Sequence, residues 1–159
     1  MKRTISYLTI AILPAIIVYS CQDQYNICDL PKSVNFRGVF YKKIGAADVE
    51  SQVPSLTLQP LNTTTYIYNQ QPNVSSFAFA LNPVVTTAKY VLKINSTAQQ
   101  DTLTLNYTSQ TVSLSAECGI ITTHDILSAY CTNNAIDSAK LNFSKVDNNN
   151  NINLKLYFH

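Results

Sequence analysis

Apolar residues recur at every second position along most of this chain. In residues 101–108, the cleanest stretch, Leu103, Leu105 and Tyr107 alternate with Thr102, Thr104, Asn106 and Thr108. A period of two sends successive side chains to opposite faces of a strand, so one face is dry and the other wet. The pattern returns with Val34, Phe36 and Phe40 against Asn35, Arg37 and Tyr41, and with Leu56 and Leu58 against Ser55 and Thr57. It continues with Phe77, Phe79 and Leu81, then Tyr90, Leu92 and Ile94, then Val112 and Leu114. Leu141 and Phe143 alternate with Lys140 and Asn142, and Ile152, Leu154, Leu156 and Phe158 with Asn153, Lys155 and Tyr157. Turn signals separate these runs: Gln59-Pro60, Gln71-Pro72-Asn73, Asn82-Pro83, residues 97–100, Asn133-Asn134 and residues 147–151. No 3.6-residue period stands out after residue 21. About eight or nine short strands at this spacing predict an all-β fold, an antiparallel β-sandwich of two packed sheets. Residues 42–53, around Gly45, carry the least pattern and are expected to form a loop. The Asn run at 148–151 is expected at a hairpin tip.

Composition agrees with strands and narrows the function. The 159 residues leave room for one domain, placed at residues 34–159. Charged residues are only 13% of the chain, about half the usual share. Polarity comes instead from 16 Asn, 16 Thr and 14 Ser, so the wet faces are largely uncharged. The formal charge of +2 is carried by Lys2 and Arg3; past residue 20 there are 9 basic and 9 acidic side chains, net zero. A nucleic-acid partner is not expected from such a balance.

The first 20 residues read as a secretory signal. Lys2 and Arg3 precede a mostly apolar core at residues 5–19, which ends at Ser20-Cys21 and the polar run Gln22-Asp23-Gln24. That core is shorter than a membrane span and contains Pro14, Ser6 and Thr9. Val18-Tyr19-Ser20-Cys21 is similar to the bacterial lipobox, in which the cysteine receives a diacylglycerol and the new amino terminus an acyl chain such as palmitate. Residues 21–33 then form a lipidated cysteine and tether. Each buried methylene contributes roughly 0.8 kcal/mol, so more than one chain anchors a protein stably.

With Cys21 lipidated, Cys28, Cys118 and Cys131 remain in an oxidising compartment, which gives one disulfide and one free thiol. The favoured bridge is Cys28–Cys118, tying the start of the domain to a central strand and leaving Cys131 free. Its loop of about 90 residues is worth about 4–5 kcal/mol in the chain-entropy model. Cys118–Cys131, across one hairpin, is the rival. No C-x-x-C pair occurs and there are two His, so neither a metal site nor a cofactor is expected.

The ordered set Cys21, Cys28, Asp101-Thr102-Leu103-Thr104, Ser115-Ala116-Glu117-Cys118-Gly119, Ala135-Ile136-Asp137-Ser138 and Asn153-Leu154-Lys155-Leu156-Tyr157-Phe158 resembles a family of small Bacteroidota lipoproteins carrying a domain of unknown function. The resemblance covers nearly the whole mature chain and is best over residues 74–158. It implies a β-rich envelope lipoprotein and no particular reaction. Cys131 is extra to the family pattern, which supports it as the unpaired thiol.

Candidate chemistry is sparse. His124-Asp125 is the only His beside a carboxylate, and neighbours on a strand face opposite ways. His159 is the last residue and is expected to fray. Glu117 reads as a solvated charge at a strand end. No nucleophile elbow, zinc-binding H-E-x-x-H or phosphate loop is present. Tyr66 and Tyr68, two apart, are the best candidate binding patch, because an exposed ring stacks on sugars or peptides and carries a polar handle. The five N-x-S/T sequons, at Asn62, Asn73, Asn95, Asn106 and Asn142, follow from Asn and Thr richness. The expected function is that of a non-catalytic, lipid-anchored binding or structural module of the bacterial envelope, on the outer membrane, with an envelope protein or glycan as partner. A surface adhesin or glycan-binding accessory is the alternative, and a small hydrolase assembled from distant residues is the third.

Overall fold

The alternating stretches become strands. The computed structural model describes residues 28–95 and 99–159, and no helix occurs among them. The leader, Cys21 and the first residues of the tether lie outside the described residues. In chain order the strands are β1 (Phe36–Ile44), β2 (Ala47–Glu50), β3 (Val53–Pro60), β4 (Tyr68–Val74), β5 (Ser76–Phe79) and β6 (Thr87–Lys93). They continue as β7 (Asp101–Ser115), β8 (Gly119–Cys131), β9 (Ser138–Leu141), β10 (Lys145–Val146) and β11 (Leu154–Tyr157). One sheet has the order β2-β1-β11-β9, with β5 beside the first half of β1. The other has the order β10-β8-β7-β6-β3-β4. The long β7–β8 hairpin is the spine of the six-stranded sheet.

The two sheets share one core. Phe36, Phe40, Leu154 and Leu156 come from the first sheet and Leu56, Leu58, Leu103 and Leu105 from the second, all fully buried. Complete burial of such a side chain contributes about 1.5–3 kcal/mol. Rings bridge the layers: Phe79 lies 4.6 Å from Tyr90, centroid to centroid. This packing leaves no free room at Gly38, where a Cβ would stand 2.2 Å from Phe77 Cζ and force that ring to shift.

Two buried polar side chains fix the connections. Asp101 is 1% exposed. Its Oδ1 accepts from Thr132 Oγ1 and the Asn134 amide, both at 2.8 Å. Its Oδ2 accepts from the amides of Ala135 (2.8 Å) and Ile136 (2.9 Å). The carboxylate thus holds the segment that carries the chain from β8 to β9, from one sheet to the other. Asn153 does the same for the return. Its Nδ2 donates to the carbonyls of Phe143 and Lys145, and its Oδ1 accepts from the Arg37 amide.

Several expectations need correction. The all-β sandwich of two sheets is as expected, but one pairing, β1 with β11, is parallel, and eleven strands occur among the described residues. Residues 42–53 are not a loop: Ile44 and Ala47 close a β1–β2 hairpin around Gly45, at φ +64°. Every residue of β2 is exposed, so it carries no apolar alternation. The Asn run at 148–151 is no hairpin tip; it connects β10 to β11 and so crosses between sheets. Phe143 is 51% exposed instead of core. Tyr157, expected on the wet face, is buried beneath its neighbours there and donates from its hydroxyl to Asp48.

Candidate functional site

The outer face of the six-stranded sheet is the wet half of each alternation. On β3, Leu56 and Leu58 point inward, which turns Ser55, Thr57 and Gln59 outward. Thr57 pairs with Lys93 and Gln59 with Val91 on β6, so these side chains share the face. Further along it, Thr87 Oγ1 donates to Asn106 Oδ1 and Asn106 Nδ2 to Ser128 Oγ, each at 2.8 Å. A ladder of uncharged groups thus runs across β6, β7 and β8.

A groove of about 440 Å³ opens at the β3–β4 side of this face. That lies within the roughly 300–1,000 Å³ of small-ligand sites. Its floor is Ser55, Thr57 and Gln59. Asn69 and Gln70 form one wall, and Tyr66 with Asn62 and Thr63 closes an end. Lys93 is the one charged side chain of its lining. A bulge builds the wall. Leu56 pairs with Gln71 and Leu58 with Tyr68, so Asn69 and Gln70 together oppose Thr57. The Gln70 amide donates to Thr57 Oγ1 at 3.2 Å. Gln70 sits at φ +48°, a left-handed conformation that costs such a side chain about 1–2 kcal/mol, whereas Asn62, at φ +64°, is a residue type that adopts it readily. Such strain gathers at binding sites.

Tyr66 and Tyr68 part company. Tyr66 precedes β4, is 49% exposed and borders the groove. Tyr68 is half-buried; its hydroxyl accepts from the Ala78 amide at 3.1 Å and faces the Ala78 carbonyl at 3.4 Å. The expected two-tyrosine patch is therefore corrected to Tyr66 alone. Parity failed because Tyr66 lies outside the strand.

Cys28 and Cys118 are joined, 90 residues apart, and the rival pairing to Cys131 is excluded. Cys118 lies in the turn between β7 and β8 rather than on a central strand. Cys131 is free, at the far end of β8 opposite Leu103. Burial, then the Asp101 charge, pushes its thiol up to about 12. Glu117 is exposed at the hairpin turn.

His124 is buried, with Nδ1 2.9 Å from Ser109 Oγ and its ring edge-on to Tyr107. Burial lowers its pKa against the opposing pull of Asp125. Asp125 turns away and accepts from Gln110 Nε2 at 3.4 Å, so it does not orient the imidazole as a triad carboxylate would. His159 Nδ1 lies 2.6 Å from Asp137. Among the described residues no three His, Cys, Asp or Glu converge as metal ligands.

The outer face of the first sheet differs in kind. Tyr41 and Tyr157 pack at 5.8 Å, and Lys155 and Lys43 lie over their rings. Those rings are already covered by the chain's own cations.

Sequence reasoning missed Gln59, Asn69 and Gln70. The outward parity of β3 was the available signal for Gln59; the bulge that aims the other two had none. No curated protein and no solved structure matches this chain. A family model, described as a family of unknown function, DUF6452, matches residues 55–158, from β3 through the last strand. The chain therefore belongs to the DUF6452 family of unknown function.

Proposed function

We propose that this chain is a non-catalytic, lipid-anchored protein of the bacterial envelope, and that it binds its partner on the outer face of the six-stranded sheet. The observation that carries this reading is the groove at the β3–β4 side, a concave surface with Lys93 as its one charged side chain and the bulge at Asn69 and Gln70 as its wall.

The Cys28–Cys118 bridge and the groove lie toward opposite ends of β7. From Cys21 to Cys28 the chain reaches at most about 25 Å, and Cys28 is pinned to the turn at Cys118. From that turn β7 runs back from Ser115 to Asp101, about 46 Å at strand rise. Gln100, beside Asp101, lines the groove. In this reading a lipid on Cys21 would tether the domain from its hairpin-turn end and leave the groove end of β7 free for a partner.

The anchor is tested by mass spectrometry and detergent partition. The mature chain should begin at acylated Cys21 and enter the detergent phase, and Cys21→Ala should leave a soluble or uncut protein. Unacylated wild type in the soluble fraction would overturn the anchor.

A further inference from the structure

We infer that the groove takes an uncharged glycan segment, an inference that rests on the binding-face reading above. Thr57, Gln59, Asn69 and Gln70 present hydroxyls and carboxamides, which donate and accept at once. That is the complement of a sugar hydroxyl, which does the same. Tyr66 adds a half-exposed ring at one end, a flat apolar surface for a pyranose C–H face. A charged ligand would find a single cation, Lys93, and no second one beside it in the lining.

A peptide is the other occupant that a sheet edge invites, by adding a strand to β4. This edge is built against it. Pro72 supplies no N–H, Gln70 and Asn73 stand at φ +48° and +54°, and the bulge breaks the register. What remains open is the face, whose chemistry is mainly that of amides and hydroxyls, with the Tyr66 ring, the apolar Leu61 and Val91, and Lys93 beside them.

The test uses the purified full chain in a detergent without a sugar headgroup. A panel of neutral hexose and N-acetylhexosamine oligosaccharides is screened beside uronate and sulfated comparators, and the best binder is titrated by calorimetry. A neutral oligosaccharide should bind, and Tyr66→Ala and Gln59→Ala should each weaken it about fivefold or more, while Tyr66→Phe keeps the ring and stays within about twofold. Lys93→Gln, and a change from about 0.05 to about 0.5 M NaCl, should move its affinity less than about twofold. Unchanged unfolding midpoints show that the variants fold; Tyr66, outside the strands, is the safest of them. Preferential binding of an acidic glycan, lost in Lys93→Gln, would overturn the neutral class and leave the binding face standing. Absence of binding across the panel, or binding indifferent to both Tyr66→Ala and Gln59→Ala, would overturn the glycan. The binding face itself has a separate readout in exchange protection against whole envelope material.

Discussion

Replacing Asp101 by Asn puts an NH2 group where the fold supplies only donors. The carboxylate accepts four hydrogen bonds, two at each oxygen, from Thr132 Oγ1 and the amides of Asn134, Ala135 and Ile136. In the milder orientation the NH2 takes the Oδ1 position. There the Thr132 hydroxyl can turn and accept, but the Asn134 amide loses its partner. A hydrogen bond to a charged group is worth about 1.5–3 kcal/mol, against about 0.5–1.5 for a neutral one. One bond is then lost and the pair at Oδ2 weakened by about 1 kcal/mol each, offset in part because a neutral amide is cheaper to bury. The net loss should be about 2–4 kcal/mol, a large part of the 5–15 that holds a typical domain. Asp101→Ala, which leaves all four donors facing a void, should cost more. In urea, with a slope near 2 kcal/mol per molar, Asp101→Asn should move the midpoint down by roughly 1–2 M. Hydrogen exchange should quicken first at Asn134, Ala135 and Ile136. A midpoint unmoved in Asp101→Ala would refute the claim that this carboxylate organises the crossing between sheets.

Non-reducing peptide mapping should link Cys28 to Cys118, with Cys131 alkylated only after unfolding; Cys118→Ser should lower stability by about 2–5 kcal/mol, and an unaltered midpoint would contradict it. Gly38→Ala should cost about 1–3 kcal/mol by displacing the Phe77 ring, read as a fall in melting temperature. Burial, against the opposing pull of Asp125, lowers the His124 pKa from the 6.5 of a free imidazole. The unfolded chain therefore takes up the proton first, and stability falls as pH drops below about 6.5. His124→Gln should flatten the loss of stability between about pH 7 and pH 5, and a slope unchanged in that variant would show that other groups set it.

What could be read from the residues was local. Strand positions followed from alternation because a half-buried strand must repeat every two residues, as Leu103, Leu105 and Tyr107 do. β2 was invisible because both its faces are exposed. The parallel pairing of β1 with β11 joins positions more than a hundred residues apart, as Gly38 and Leu154 are, and local pattern says nothing about partners at that distance. Asn153 looked like an ordinary wet-face residue, while Asp101 stood in step with Leu103, Leu105 and Tyr107 on the dry face. Their roles come from backbone donors and acceptors on distant turns, which no spacing reveals. The groove is made largely of the same Asn, Gln and Thr found throughout the chain, and the bulge at Asn69 and Gln70, together with the connection that carries Tyr66, gives it shape.

The central claim is that the outer face of the six-stranded sheet near β3 and β4 is where this protein meets its partner. Hydrogen-exchange mass spectrometry of the full chain, with and without native envelope material, tests it directly. Added protection should concentrate in residues 55–70 and 91–95, the strands and loop that build the groove. Tyr66→Ala should weaken that protection. Protection confined to the opposite sheet, around Tyr41 and Tyr157, or a pattern identical with and without envelope material, would contradict it.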